Sequence, residues 1–224
     1  MTRVLGVDGC KKGWIGISND LRGYFGKTID ELARAADTDG LVDVFAVDIP
    51  IGLPVVGPRE ADALARHLVG ARHSSVFSTP IRAALEAPTH KEGSAAARAA
   101  TGKGITIQAY GLGPKILEVD AWVRRADRTV IEVHPEVCFA VMAARSLMHA
   151  KTTWAGIEKR RTLLKAAGFL PVNIGEVGAR AGVDDVLDAA AAAWTAARYV
   201  SGAAVSHPSP PEVFHDGPTG AIWA

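Results

Sequence analysis

Cysteine is nearly absent from this chain. Two occur in 224 residues, Cys10 and Cys138, with no Cys-x-x-Cys pair. That excludes a thiolate zinc cluster and a disulfide framework, and it fits a reducing cytoplasm. An excess of one charge is also missing. Lys and Arg number 25 against 24 Asp and Glu, a formal net charge of +1. There is no large basic surface of the kind a strong duplex binder carries. No apolar run reaches membrane-spanning length, because the Ala-rich stretch after Asp188 is broken by Trp194. Met1 leads within two residues into an apolar strand, which leaves no room for a signal peptide, so the expected location is the cytoplasm. No Walker loop or Gly-x-Ser-x-Gly elbow is present, and Gly102-Lys103-Gly104 is too short to serve as a phosphate loop. The five tryptophans are scattered, unlike a base-stacking platform.

What remains is an ordinary globular composition, 48% hydrophobic and 22% charged. A chain of this length can bury a core that needs no covalent staple. Apolar runs predict strands over 3–8, 13–17, 23–28, 42–48 and 129–133. Short links join the first three as antiparallel hairpins. A helix over 30–37, capped at Asp30, returns the chain so that the fourth strand lies parallel to the first. Ile49–Pro54 must be a loop, since two prolines and a glycine oppose helix and sheet alike. Helices are expected over 59–70, 116–126, 135–148, 154–167 and 184–200, with broken helical pieces between 72 and 115. The reading is one α/β domain over 1–224. It has a helical insertion over about 50–128 and a Pro-rich, irregular tail over about 206–224.

Carboxylates stand out against this frame. Asp8 ends the run Val4-Leu5-Gly6-Val7, and Asp48 ends Val44-Phe45-Ala46-Val47. Strands one and four are expected to be neighbours, so both acids fall at one end of the sheet, where open α/β sheets bind ligands. Asp185 and Asp188 share one helical face, and the run Ala189–Ala193 lets that helix approach the sheet closely. Acids gathered this way repel unless cations lie between them, and hard divalent ions prefer oxygen ligands. A plainer account stands beside each acid. Asp8 and Asp48 can organise their own turns, and Asp184 or Asp185 can cap the last helix.

Other groups are less decided. Glu132 and His134 share a face of the fifth strand. Glu132 is a further ligand candidate and His134 a candidate general base or phosphate donor, unless both are paired core groups. Arg59, Arg72 and Lys115 are candidate phosphate contacts. For Arg59 the alternative is an Arg59–Asp62–Arg66 ladder that fixes the insertion. The basic stretch Arg145, Lys151, Lys159, Arg160, Arg161 and Lys165 reads as a phosphate-binding surface or as solvated helix faces.

Several segments together resemble a known family. Val4–Trp14, Val47–Pro54, Arg59–Arg66, Ser74–Pro80, Glu132–Glu136 and Asp184–Ala189 are similar to domain-of-unknown-function family 429. That family is described as predicted nucleases with a ribonuclease H-like fold. The resemblance implies a mixed five-stranded sheet of order 3-2-1-4-5, flanked by helices, with the insertion between strands four and five. The wider superfamily includes Holliday-junction resolvases, with an acid on the first strand, an acid after the fourth and Asp-x-x-Asp on the last helix. Asp8, Asp48, and Asp185 with Asp188 match that pattern, whereas Glu132, His134 and Glu136 match the family motif alone.

The expectation is a metal-dependent nuclease that hydrolyses phosphodiester bonds of RNA or DNA, with two Mg²⁺ or Mn²⁺ ions on Asp8, Asp48, Asp185 and Asp188. A homodimer is the assembly that resolvase-like action would call for. The alternatives are a binding protein for nucleic acid or nucleotide with a dormant metal site and, ranked last, an actin-like ATP-dependent phosphotransferase.

Overall fold

The computed structural model describes residues 2–214 and 217–224. The chain starts with strands β1 (Val4–Cys10), β2 (Gly13–Ser18) and β3 (Gly23–Gly26), then helix α1 (Ile29–Asp37) and strand β4 (Val44–Val47). Five helices follow: α2 (Glu60–Val69), α3 (Arg82–Leu85), α4 (His90–Thr101), α5 (Ile107–Gly111) and α6 (Gly113–Val123). They form the expected insertion before β5 (Thr129–Val133). Then come α7 (Pro135–Ala143), α8 (Trp154–Ala167), α9 (Val183–Val200), β6 (Ser206–Glu212) and β7 (Gly220–Trp223).

β1, β2 and β3 pair antiparallel, while β4 runs parallel to β1 and β5 parallel to β4. The expected order 3-2-1-4-5 is therefore present, but within a larger sheet. Seven strands lie in the order β3-β2-β1-β4-β5-β7-β6. The tail is a correction to the sequence reading: instead of being irregular, it supplies β6 and β7. Residues 215 and 216 of that tail lie outside the described residues. Three prolines in Ser206–Glu212 argue against a strand, since proline cannot donate to a ladder. They are tolerated because β6 is an edge strand and pairs on one side with β7.

A second correction concerns α7. The expected helix to about 148 stops at Ala143, because Ala144 turns into the left-handed region with φ 51°. Residues 145–153 are thereby released to run as a loop toward the sheet's end.

Side-chain alternation divides the sheet into two faces. Leu5, Val7, Phe45 and Val47 pack with Ile29, Leu32, Ile116 and Trp122 of α1 and α6. Val4, Val44, Ala46 and Ile131 pack with the alanines of α9. Ala189–Ala193 are all completely buried. The contact with β1 is so close that a Cβ on Gly6 would lie 2.0 Å from Ala193 N and 2.1 Å from Ala189 O. Only glycine fits there. Gly6 and Ala46 face α9, so two residues further on Asp8 and Asp48 emerge on that face as well.

Among the described residues, no helix is long and apolar enough to cross a membrane.

Candidate metal centre

Asp8 lies near the end of β1, and Asp48 follows β4 directly, its N–H donating to Val7 O at 2.9 Å. Asp188 is one turn into α9, just before the alanine run that holds this helix on β1. One carboxylate oxygen from each of Asp8, Asp48 and Asp188 lies within 4.8 Å of the others. Asp8 and Asp188 are buried, and Asp48 is half-buried. The donor set consists of carboxylate oxygens, which suits a hard divalent cation.

The electrostatics follow from that crowding. Burial pushes the Asp8 carboxyl well above the usual range, and the charges of Asp48 and Asp188 push it further. Burial also raises Asp48 and Asp188, each to about 7. The three acids are close enough that their protonation is coupled. Without a cation, the cluster at neutral pH therefore retains protons that isolated carboxyls would have lost.

Among the described residues, one protein cation pairs with the cluster. Lys151, on the loop that the early end of α7 frees, places Nζ 2.6 Å from Asp188 Oδ2 and 3.8 Å from Asp184 Oδ2. The sequence reading grouped Lys151 with a basic surface stretch and missed this position. No spacing signals it, because the lysine arrives through a loop. Glu136 stands nearby, 6% exposed, and its charge helps raise Asp48 and Asp188. Its Oε1 accepts from Arg160, while Oε2 is buried with no partner among the described residues.

A cleft of about 180 Å³ opens beside the acids, lined by Asp8, Asp48, Pro50, Phe77 and His134 among others. Burial lowers the His134 pKa below its ordinary value, against the pull of Asp188 and Glu136, so the ring is neutral. His134 Nδ1 is buried without a partner among the described residues. It is a proton acceptor or donor held at the cleft wall.

Residues 6–213 match the family described as "Protein of unknown function (DUF429)". The chain belongs to the DUF429 family. Comparison with curated proteins and with solved structures returned no match.

The remaining sequence candidates of this DUF429 protein divide by position. Asp185 faces its own helix start, accepting from Gly182 N–H at 2.9 Å, and stands outside the three-acid group. That is the capping role weighed for it above. Glu132 lines the cleft but is already engaged. It accepts two bonds from Arg59, at 2.6 and 2.9 Å, and one from Ile51 N–H at 2.7 Å. Arg59 is 1% exposed. Its other bonds go to Asp62 and to the carbonyls of Ile51 and Gly52, which leaves no donor for a phosphate. Asp62 in turn accepts from Thr79 N–H and Oγ1. Four of the motif segments thus meet in one buried network that clamps the loop directly after Asp48. The clamp joins residues 73 positions apart, Arg59 and Glu132, so helical spacing alone could not show it.

Arg72 sits in the turn Gly70–Ser75, away from the cleft lining, with Nε buried and unpartnered among the described residues. Lys115 stays close to the acids. Its stem lies against Gly9, its Nζ donates to Gly13 O at 2.7 Å, and Nζ stands 4.1 Å from the Trp14 ring centre. Burial lowers its pKa, and the nearby charges of Asp8 and Asp185 oppose that. Cys10 and Cys138 are both buried and free.

Proposed function

We propose that this protein is a metal-dependent nuclease, built on a ribonuclease H-like core, that hydrolyses phosphodiester bonds of nucleic acid at Asp8, Asp48 and Asp188. The reading is carried by the meeting of these three carboxylates, from two neighbouring strand ends and one helix, within 4.8 Å. An antiparallel β1-β2-β3 unit followed by a parallel β4 supports the core assignment. Asp8, Asp48 and Asp188 would hold Mg²⁺ or Mn²⁺. A bound ion there supplies activation of water and charge neutralisation at the phosphate. His134 holds or moves a proton at Nδ1, and Phe77 and Pro50 exclude water from the cleft wall. Lys115, at the Asp8–Gly9 turn, is the cation best placed to meet a phosphate.

The test is cleavage of single-stranded, duplex, hybrid and branched nucleic acids by the purified protein with Mn²⁺. Cleavage by the wild type and none by Asp8→Asn is the expected result. Absence of cleavage, or cleavage indifferent to Asp8→Asn, rejects the proposal. One observation favours a second reading, a nucleic-acid-binding protein with a dormant metal site: Lys151 already neutralises Asp188. Nucleic-acid binding that persists in chelator and in Asp8→Asn, with no cleavage, selects it.

A further inference from the structure

Lys151 puts a fixed positive charge against Asp188, one of the acids that the two-ion expectation assigned to metal. Its ammonium is 2.6 Å from Asp188 Oδ2 and 3.8 Å from Asp184 Oδ2. The expected fourth ligand, Asp185, is engaged with the Gly182 N–H. Three carboxylates therefore remain for metal. With partly exposed Asp184 left to solvent and Glu136 offset by Arg160, the three carry a charge of −3 when ionised, Lys151 brings +1 and one divalent ion brings +2, so the sum is zero. Two ions would bring the site to an excess of +2, or +1 if Asp185 joined. An uncompensated charge in a buried site is strongly disfavoured.

Size is compatible with a single ion. Oxygen ligands about 2.1 Å from one Mg²⁺ span at most about 4.2 Å across it. The three oxygens lie within 4.8 Å of one another, so a small closure fits them around a single ion. Independent signs that a ligand belongs here are two buried polar atoms without a partner among the described residues: Oε2 of Glu136, which is 6% exposed, and Nδ1 of His134, which lines the same cleft as Asp8 and Asp48. A buried carboxylate oxygen without a donor calls for a cation or an ion-bound water.

We propose that the resting protein binds one divalent ion per chain at Asp8, Asp48 and Asp188, with Lys151 acting as a built-in substitute for the second. This rests on the metal-site reading above, and it replaces the two-ion expectation. Lys151 is then a positioning residue: it holds Asp188 and sets how many ions the site accepts.

The test titrates Mn²⁺ alone, without nucleic acid, into the full chain and its variants, following stoichiometry by calorimetry and spin coupling by electron paramagnetic resonance. The wild type takes one uncoupled Mn²⁺. Lys151→Met, freed of the ammonium, takes a second ion or binds the first at least tenfold more tightly. Lys151→Arg keeps the charge and the wild-type count. Two spin-coupled ions on the wild type overturn the inference and leave the nuclease reading standing. So does a Lys151→Met protein with wild-type count and affinity. No Mn²⁺ bound by wild type or by Lys151→Met rejects the metal site itself, and this inference with it. Should Lys151→Met fail to fold, the wild-type count still decides between one ion and two.

Discussion

Asp48→Asn is expected to make the metal-free protein more stable. In the folded chain the Asp48 carboxyl is raised from about 3.8 to about 7, first by burial. The folded state then holds a proton that the unfolded chain releases between about pH 4 and pH 7. Because the folded state binds more protons, stability falls as pH rises through that window, and the full loss is felt above it. The difference of roughly three pH units sets a ceiling of about 4 kcal/mol, at 1.36 kcal/mol for each. Asp48 is half-buried, so asparagine recovers only part of that ceiling. About 1–2 kcal/mol is a reasonable fraction, since solvent access lowers the local field. For a chain of this size that raises Tm by about 2–8 °C. The assay is thermal or urea unfolding in chelator at pH 8 and pH 4. The variant should gain at pH 8 and match the wild type at pH 4. Loss of stability at pH 8, or a gain of equal size at both pH values, would refute the reasoning that the empty acids strain the fold.

Three further outcomes follow from the same geometry. Mn²⁺ at a hundredfold excess over Kd should stabilise the wild type by about 2.7 kcal/mol, read as a Tm increase that chelator reverses, and should leave Asp8→Asn unchanged. Glu132→Gln leaves Arg59 buried without its main counter-charge, so urea unfolding should show a loss of about 3 kcal/mol, as for other broken buried pairs. Gly6→Ala drives a methyl into the α9 backbone at 2.0 Å, and should cost about 3 kcal/mol or more, seen as a lowered Tm or loss of soluble protein.

The half of the sheet around β1 and β4 could be read from local pattern. Apolar runs that end in Asp8 and Asp48 are strands by period and composition, and the short hairpins and the α1 crossover dictate their order. β6 and β7 could not be read this way. Pro208, Pro210 and Pro211 oppose a strand locally, and only an edge position with one partner makes them acceptable. The site divides similarly. Asp8 and Asp48 follow from strand ends, whereas helix spacing offers Asp185 and Asp188 alike and does not choose between them. Lys151 depends on where α7 stops, which a left-handed Ala144 decides with no glycine or proline to announce it. Arg59 looks like a surface cation by its place just before α2, yet Glu132 draws it wholly inside. In both cases a tertiary partner overrode the local pattern.

The fit of α9 onto Gly6 has a consequence for how this chain comes to maturity. The first strand and the last long helix carry Asp8 and Asp188 of one acidic cluster, and nearly the whole polypeptide separates them. Contacts of such long range assemble late, after the loops between them have closed. An ion that needs Asp8 and Asp188 together has nothing to grip on a nascent or half-folded molecule. On the metal-site proposal, uptake of the ion would follow folding, and Mn²⁺ binding would report that a given molecule has been completed.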